Sequence, residues 1–226
     1  VLLTGGEPFA RKDLPQIINA FESRNVHVRM QTNGFASEEQ IAEAVEAGGK
    51  DISISLDSLK PASQDKINGG FDKSWHRALK AMADFTKYLP KEGSFASLGC
   101  VLAPDNMGDI EDVIRFGTEI SWFTSLVPAH VTDYAHPKGF RTFDSRLRFR
   151  QNELEIVDAV IERVRLMKKE GFLLYDSDQY LDDIKRFVRD EDSITWRSHN
   201  DNVCDSQNLY FALLPNGDFS PCCDHR

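Results

Sequence analysis

Nowhere in this chain does an apolar run approach the ~20 residues that a membrane-spanning helix requires. The opening residues also lack the basic-then-apolar order of a secretion signal. Both absences point to a cytoplasmic protein with no membrane partner. The 27 lysines and arginines form no concentrated block among 36 acidic residues, and the formal charge is -9. A protein that grips nucleic-acid backbone would gather its basic residues on one face, so no nucleic-acid partner is expected. Cysteine is scarce, with four in all, and nothing marks the chain as a secreted disulfide scaffold. What remains is ordinary globular material. With 41% hydrophobic residues in 226, there is enough for one large domain, or for a domain with a small appendage.

The first seven residues, Val1-Leu2-Leu3-Thr4-Gly5-Gly6-Glu7, carry a short apolar strand into Gly-Gly-Glu. Two glycines at a strand end let a ligand approach bare backbone, and the adjacent carboxylate can hold an ammonium group. A strand-end turn with a solvated Glu would read the same way, so the rest of the chain must decide.

From Asp13 to Asn25, Leu14, Ile17, Ile18 and Phe21 recur at helical spacing, and Val26 to Met30 then alternates like a strand. Thr32-Asn33-Gly34 ends that strand. Ser37 with Gln40 three residues on reads as a capping box for a helix running to Gly48-Gly49. Asp51 to Asp57 is the next strand. A helix around Ala78 to Phe85, a strand from Phe95 to Leu102, a helix through Ile110 to Ile114 and a strand from Trp122 to Val127 continue the alternation. A long helix from Gln151 to Gly171, a short strand from Phe172 to Tyr175 and a helix capped by Ser177 complete it. Alternation of this kind predicts a parallel sheet with crossover helices, and in such folds the site lies where the strands end. Gly5-Gly6-Glu7, Thr32-Asn33-Gly34, Ser55 to Asp57 and Pro104-Asp105-Asn106 all fall there. The segment from 131 to 150 reads as a loop. His130, Tyr134, His136 and Arg141 in or beside it are candidate substrate contacts.

Cys100 sits mid-strand among apolar neighbours and reads as a core residue. The other three cysteines, Cys204, Cys222 and Cys223, fall within the last 23 residues. Asn208 to Leu214 reads as a strand that turns at Pro215 to Asp218 into a partner ending at Cys222, so a small hairpin brackets the thiolates. A cytosolic cysteine cluster of this sort more often holds metal than a disulfide. Zinc and an iron-sulfur cluster are both open, with His225 a weaker ligand candidate.

Taken jointly, Leu3-Thr4-Gly5-Gly6-Glu7-Pro8, Thr32-Asn33-Gly34, Ser55-Leu56-Asp57-Ser58 and the spacing Cys204 to Gly217 to Cys222 resemble the radical S-adenosylmethionine superfamily, in the branch with a C-terminal SPASM or twitch extension. The resemblance implies an α/β fold, a partial (β/α)6 TIM-like barrel with a small C-terminal β-hairpin cysteine module. Its barrel would span residues 1–189 and the start of the auxiliary module residues 190–226. It implies that S-adenosylmethionine binds against a [4Fe-4S] cluster and is cleaved reductively to a 5'-deoxyadenosyl radical, which abstracts hydrogen from a peptide or small-metabolite substrate. An auxiliary [4Fe-4S] cluster would be held by Cys204, Cys222 and Cys223, and an electron donor such as flavodoxin or ferredoxin is implied. Gly5, Gly6 and Glu7 would meet the methionine amine. Ser55 and Asp57 match positions that contact ribose or methionine, and Asn33 and Asn106 are further pocket candidates.

Two departures qualify the resemblance. The defining C-x3-C-x2-C loop lies upstream of Gly-Gly-Glu, and both ends of this chain are expected to be cut. Asn68 stands where many relatives carry an arginine. Two other readings compete: a non-radical nucleotide-binding barrel with a structural zinc site, and a metal-dependent aldolase, which leaves the tail unexplained.

Overall fold

The computed structural model describes residues 1–129, 148–189, 211–214 and 216–220. Five strands form one sheet: β1 (Leu2–Leu3), β2 (Arg29–Thr32), β3 (Asp51–Ser55), β4 (Phe95–Leu102) and β5 (Phe123–Pro128). They lie side by side in chain order and all pairs are parallel. Between them run α1 (Leu14–Glu22), α2 (Glu38–Glu46), α3 (Pro61–Ile67), α4 (Ser74–Tyr88) and α5 (Ile110–Glu119). Because each crossover steps to the next strand in the same direction, every helix falls on the same side of the sheet.

The register sorts the side chains into two faces. Met30, Ile52 and Ala96 stand in one row, and Ile54, Leu98 and Thr124 in the next. These meet Ile18, Ile41, Ala78, Phe85, Ile110 and Ile114 in a single core between sheet and helices. The alternate rows read Gln31, Ser53, Ser97, Phe123 and then Ser55, Gly99, Ser125, and no described helix covers them. A parallel sheet is normally buried on both faces. Here one face is hydrophobic and covered, while the other carries small polar residues toward the strand ends and the stacked rings of Phe95 and Phe123 at its base, the inner wall of a partial barrel.

After β5, α6 (Leu154–Lys169) packs its Val157, Ile161, Val164 and Met167 inward and returns the chain to the sheet. Thr124 pairs with Leu174 in a parallel bridge: the Thr124 N–H donates to Leu173 O at 2.9 Å, and the Tyr175 N–H to Thr124 O at 2.9 Å. The sixth strand expected over Phe172 to Tyr175 is thus a single bridge, after which α7 (Asp178–Val188) begins. Strand β2 also starts three residues later than Val26. Asn25 takes a left-handed φ of 57°, and the Val28 N–H is spent on the Glu22 carboxylate, so the chain reaches its parallel partner only at Arg29.

Local sequence signals account for the helix starts. The Ser37 Oγ accepts the Gln40 N–H and the Gln40 Oε1 accepts the Ser37 N–H, the reciprocal pair of a capping box. Ser177 caps α7 through the Tyr180 N–H. Farther along, β6 (Ala212–Leu213) and β7 (Phe219–Ser220) pair antiparallel around Gly217, as the hairpin signal predicts. Among the described residues no helix is long and apolar enough to cross a membrane.

Candidate functional site at the strand ends

Glu7 ties the first two strands together. Its Oε1 accepts the Phe9 N–H at 3.0 Å and the Thr32 hydroxyl at 2.8 Å, and its Oε2 accepts the Asn33 N–H at 2.9 Å. A carboxylate offers about four acceptor positions. Three are taken, and the one left is on Oε2. Just before it, Gly5 (φ 121°) and Gly6 are exposed, and a side chain built at either would meet nothing within 4 Å. The turn therefore presents bare backbone beside a fixed carboxylate with acceptor capacity in reserve.

The Thr32 hydroxyl also accepts the Gly34 N–H, and Asn33 Oδ1 accepts the Phe35 N–H at 2.9 Å. Asn33 is exposed and closes an Asx turn, while Gly34 takes the left-handed conformation with φ 86°. A Cβ on Gly34 would stand 2.8 Å from the Ala78 Cα, so only glycine lets this turn press against α4.

At the end of β3, Ser55 is half-buried on the open face, pairs in register with Gly99, and makes no side-chain hydrogen bond among the described residues. Asp57 behaves differently. It is buried, and its Oδ1 accepts the Val101 N–H of β4 at 2.7 Å. Burial pushes its carboxyl up to about 6, against the opposing pull of hydrogen bonds from Val101 and Gln64. Asn106 is fully buried with its amide completely engaged. Its Oδ1 accepts the Ala103 N–H, and its Nδ2 donates to Asp57 O and Val101 O. The structure joins the Gly5-Gly6-Glu7 turn to the neighbouring turn at Asn33 through the Glu7 carboxylate, and leaves Ser55 facing the open side. It places the Asn106 amide inside the fold, where it braces the ends of β3 and β4.

Asp176 was not singled out by the sequence. Its Oδ2 accepts the Leu126 N–H of β5 at 2.7 Å and its Oδ1 accepts the Ser125 hydroxyl, and desolvation raises it to about 6. Glu7, Asp57 and Asp176 therefore do one job at three places, each capturing a backbone N–H of the neighbouring strand. The signal was available: an acidic residue within four positions of a strand's end, twice followed by serine, in Asp57-Ser58 and Asp176-Ser177.

His130, Tyr134, His136, Arg141, Cys204, Cys222 and Cys223 lie outside the described residues. Cys100 is fully buried in the helix-facing row, and desolvation raises its thiol well above the usual range. Among the described residues no group of His, Cys, Asp or Glu could hold a metal ion.

Residues 1–117 match the sequence profile of the Radical SAM superfamily. A probable GTP 3',8-cyclase of Pyrococcus abyssi is 28% identical over 176 residues, which is 77% of this chain and 56% of that protein. A PqqA peptide cyclase of Xanthomonas oryzae pv. oryzae is 25% identical over 158 residues, 70% of this chain and 40% of that protein. The chain thus spans about half the length of these relatives. Among solved structures, Streptococcus suis SuiB bound to S-adenosylmethionine superposes with a TM-score of 0.63 at 17% identity, covering 99% of this chain and 49% of that one. SuiB bound to its precursor peptide SuiA also superposes at 0.63, with 19% identity, 99% of this chain and 48% of that one. At these identities the structures speak for the fold, a partial barrel.

Proposed function

The chain belongs to the radical SAM superfamily, and from that premise we propose that it forms the barrel of a cytoplasmic radical enzyme with a SPASM- or twitch-like auxiliary module, acting on a peptide or small metabolite. S-adenosylmethionine, reduced by one electron at a [4Fe-4S] cluster, would supply there a 5'-deoxyadenosyl radical able to take a hydrogen atom from substrate. A flavodoxin or ferredoxin would deliver the electron. Residues 1–189 would be the barrel and 190–226 the start of the module.

The observation that carries this reading is the turn at Gly5-Gly6-Glu7. An ammonium group needs acceptors, and the reserved position on Glu7 Oε2 together with exposed glycine backbone provides them without a steric barrier. The methionine end of S-adenosylmethionine fits that chemistry. The unspent Ser55 hydroxyl on the open face suits a ribose contact. Asp57 would act on the same region indirectly, by holding the end of β3 against β4. The described residues offer no ligand to a cluster, since Cys100 is sealed in the core. The proposal therefore assigns the catalytic cluster to a C-x3-C-x2-C loop upstream of Val1 and the auxiliary cluster to Cys204, Cys222 and Cys223.

Of the two substrate classes we take a peptide. Likeness to a PqqA peptide cyclase and to a structure holding a precursor peptide supports that choice. The test uses the full-length gene product, reconstituted anaerobically with iron and sulfide and then reduced. Formation of 5'-deoxyadenosine and methionine, with iron for more than one cluster per chain, is expected. Cys204→Ala should lower the iron content and leave S-adenosylmethionine cleavage in place. A colourless protein carrying zinc would replace this reading with a nucleotide-binding module.

A further inference from the structure

Arg77, in the first turn of α4, lies with its guanidinium carbon 4.8 Å from the ring centroid of Phe35 and 4.7 Å from that of Phe71. Both rings are about half exposed, at 52% and 55%. Arg11, Arg163, Arg165 and Arg189 each hold a carboxylate, whereas the Arg77 guanidinium makes no hydrogen bond or ion pair among the described residues. Its Nη1 is buried without a partner among the described residues, while the residue as a whole is part-exposed. In a chain with 36 acidic residues a carboxylate partner is easily found, and even Asp72, next to Phe71, is not within ion-pair distance.

The group is held firmly. Asp65 fixes the start of α4 by accepting the Ser74 hydroxyl and the Trp75 and Lys73 N–H groups. The close approach at Gly34 locks Phe35 to the same turn of helix, two residues beyond the Asn33 whose N–H is held by Glu7. A guanidinium seated on aromatic rings is partly stripped of water, and its planar edge matches a carboxylate in bidentate fashion.

We propose that Arg77, seated on Phe35 and Phe71, is a docking point for an acidic side chain of the peptide substrate, at the rim between the end of β2 and the start of α4. This rests on the peptide reading above. Arg77 belongs to the helix layer, with the sheet between it and the open face. A small molecule confined to the inner wall would not reach it, whereas an extended chain crossing the rim would. The exposed Lys73 one turn before Arg77 adds positive charge on the same side.

The test is a chemical-shift titration of the full-length protein, following the Arg side-chain Nε–H signals and the Phe35 and Phe71 ring signals. The probe is an acetylated, amidated alanine peptide carrying one glutamate, and its glutamine counterpart is the control. Saturable shifts with the glutamate peptide are expected, with binding about tenfold weaker for the glutamine peptide, corresponding to about 1.4 kcal/mol. Arg77→Met should abolish the response, and Arg77→Lys should retain part of it with an unchanged thermal melt. No saturation, an equal response to glutamine, or a response surviving in Arg77→Met would overturn the proposal. Stronger binding of inorganic phosphate at the same signals would overturn it in favour of a phosphate-bearing ligand. A parallel S-adenosylmethionine titration keeps the two readings apart: its failure alongside an intact peptide response would sink the radical reading and spare the docking point.

Discussion

The carboxylate of Glu7 accepts the hydroxyl of Thr32 at 2.8 Å, so the first two strands end in one hydrogen-bonded knot that also holds the exposed Gly5-Gly6 turn. If that turn binds S-adenosylmethionine as proposed, its structural and binding roles can be taken apart. Glu7→Gln removes the charge and turns an NH2 donor toward one of the donors that the carboxylate accepts, so it should loosen the knot and weaken S-adenosylmethionine binding by about 1.5–3 kcal/mol, the range for a charge-assisted hydrogen bond. Thr32→Val keeps the charge and removes two bonds of the knot, the one to Glu7 and the one from the Gly34 N–H, costing about 2 kcal/mol of stability with a smaller effect on affinity. Calorimetric titration and denaturant melts of the full-length protein separate the two. Equal affinity for Glu7→Gln and wild type would remove Glu7 from the binding turn.

Asp57 and Asp176 give stability an unusual dependence on pH. Both have folded-state values raised to about 6, above the ~3.9 of an unfolded aspartate. Between those values the folded state binds more protons than the unfolded one, so stability falls as pH rises from 4 toward 6 and the loss is complete above 6. Acidifying from pH 7 to 5 should therefore raise the melting temperature. Asp57→Asn should flatten part of that slope, with a gain at pH 7 of at most about 3 kcal/mol. A melting temperature that drops steadily from pH 7 to 5 would contradict this account of both groups.

Gly34→Ala combines a left-handed backbone with a Cβ 2.8 Å from the Ala78 Cα. The backbone conformation alone costs about 1–2 kcal/mol for a residue with a side chain, and the clash with α4 adds to it. A lower denaturation midpoint with an unchanged slope is expected.

Asn106→Ala removes three hydrogen bonds and strands the Ala103 N–H and the Asp57 and Val101 carbonyls. A loss of at least about 2 kcal/mol follows from leaving such buried groups unpaired. If Asn106 acts as a brace, S-adenosylmethionine affinity should hold at temperatures where the variant is fully folded. A selective loss of affinity with unchanged stability would return Asn106 to the pocket.

Much of this was legible before the structure. Ser37 with Gln40, and Ser177, announced helix starts because capping is local chemistry within three or four residues. Cys100 read as core from its apolar neighbours, and the alternation of strand and helix gave the sheet its parallel order. What escaped depends on contacts between distant segments. Nothing in the sequence says whether Asp57 points outward to a ligand or back to the Val101 N–H, 44 positions on. Asn106 looked like a strand-end polar residue and is one, but its amide closes on backbone from two strands. Arg77 meets Phe35 only because Gly34 permits the approach of α4, a consequence of packing that periodicity does not carry.

Toward the strand ends the wall at Ser55, Gly99 and Ser125 is small, while at its base Phe95 and Phe123 stack with ring centroids 5.3 Å apart and Tyr175 closes on Phe95 edge-on. Ordinary barrels interlock large side chains in layers along their axis; among the described residues only the lowest layer here is filled in that way. Truncating either ring would therefore unplug the floor and cost stability, whereas enlarging Ser55 or Gly99 would narrow the mouth and leave the floor intact.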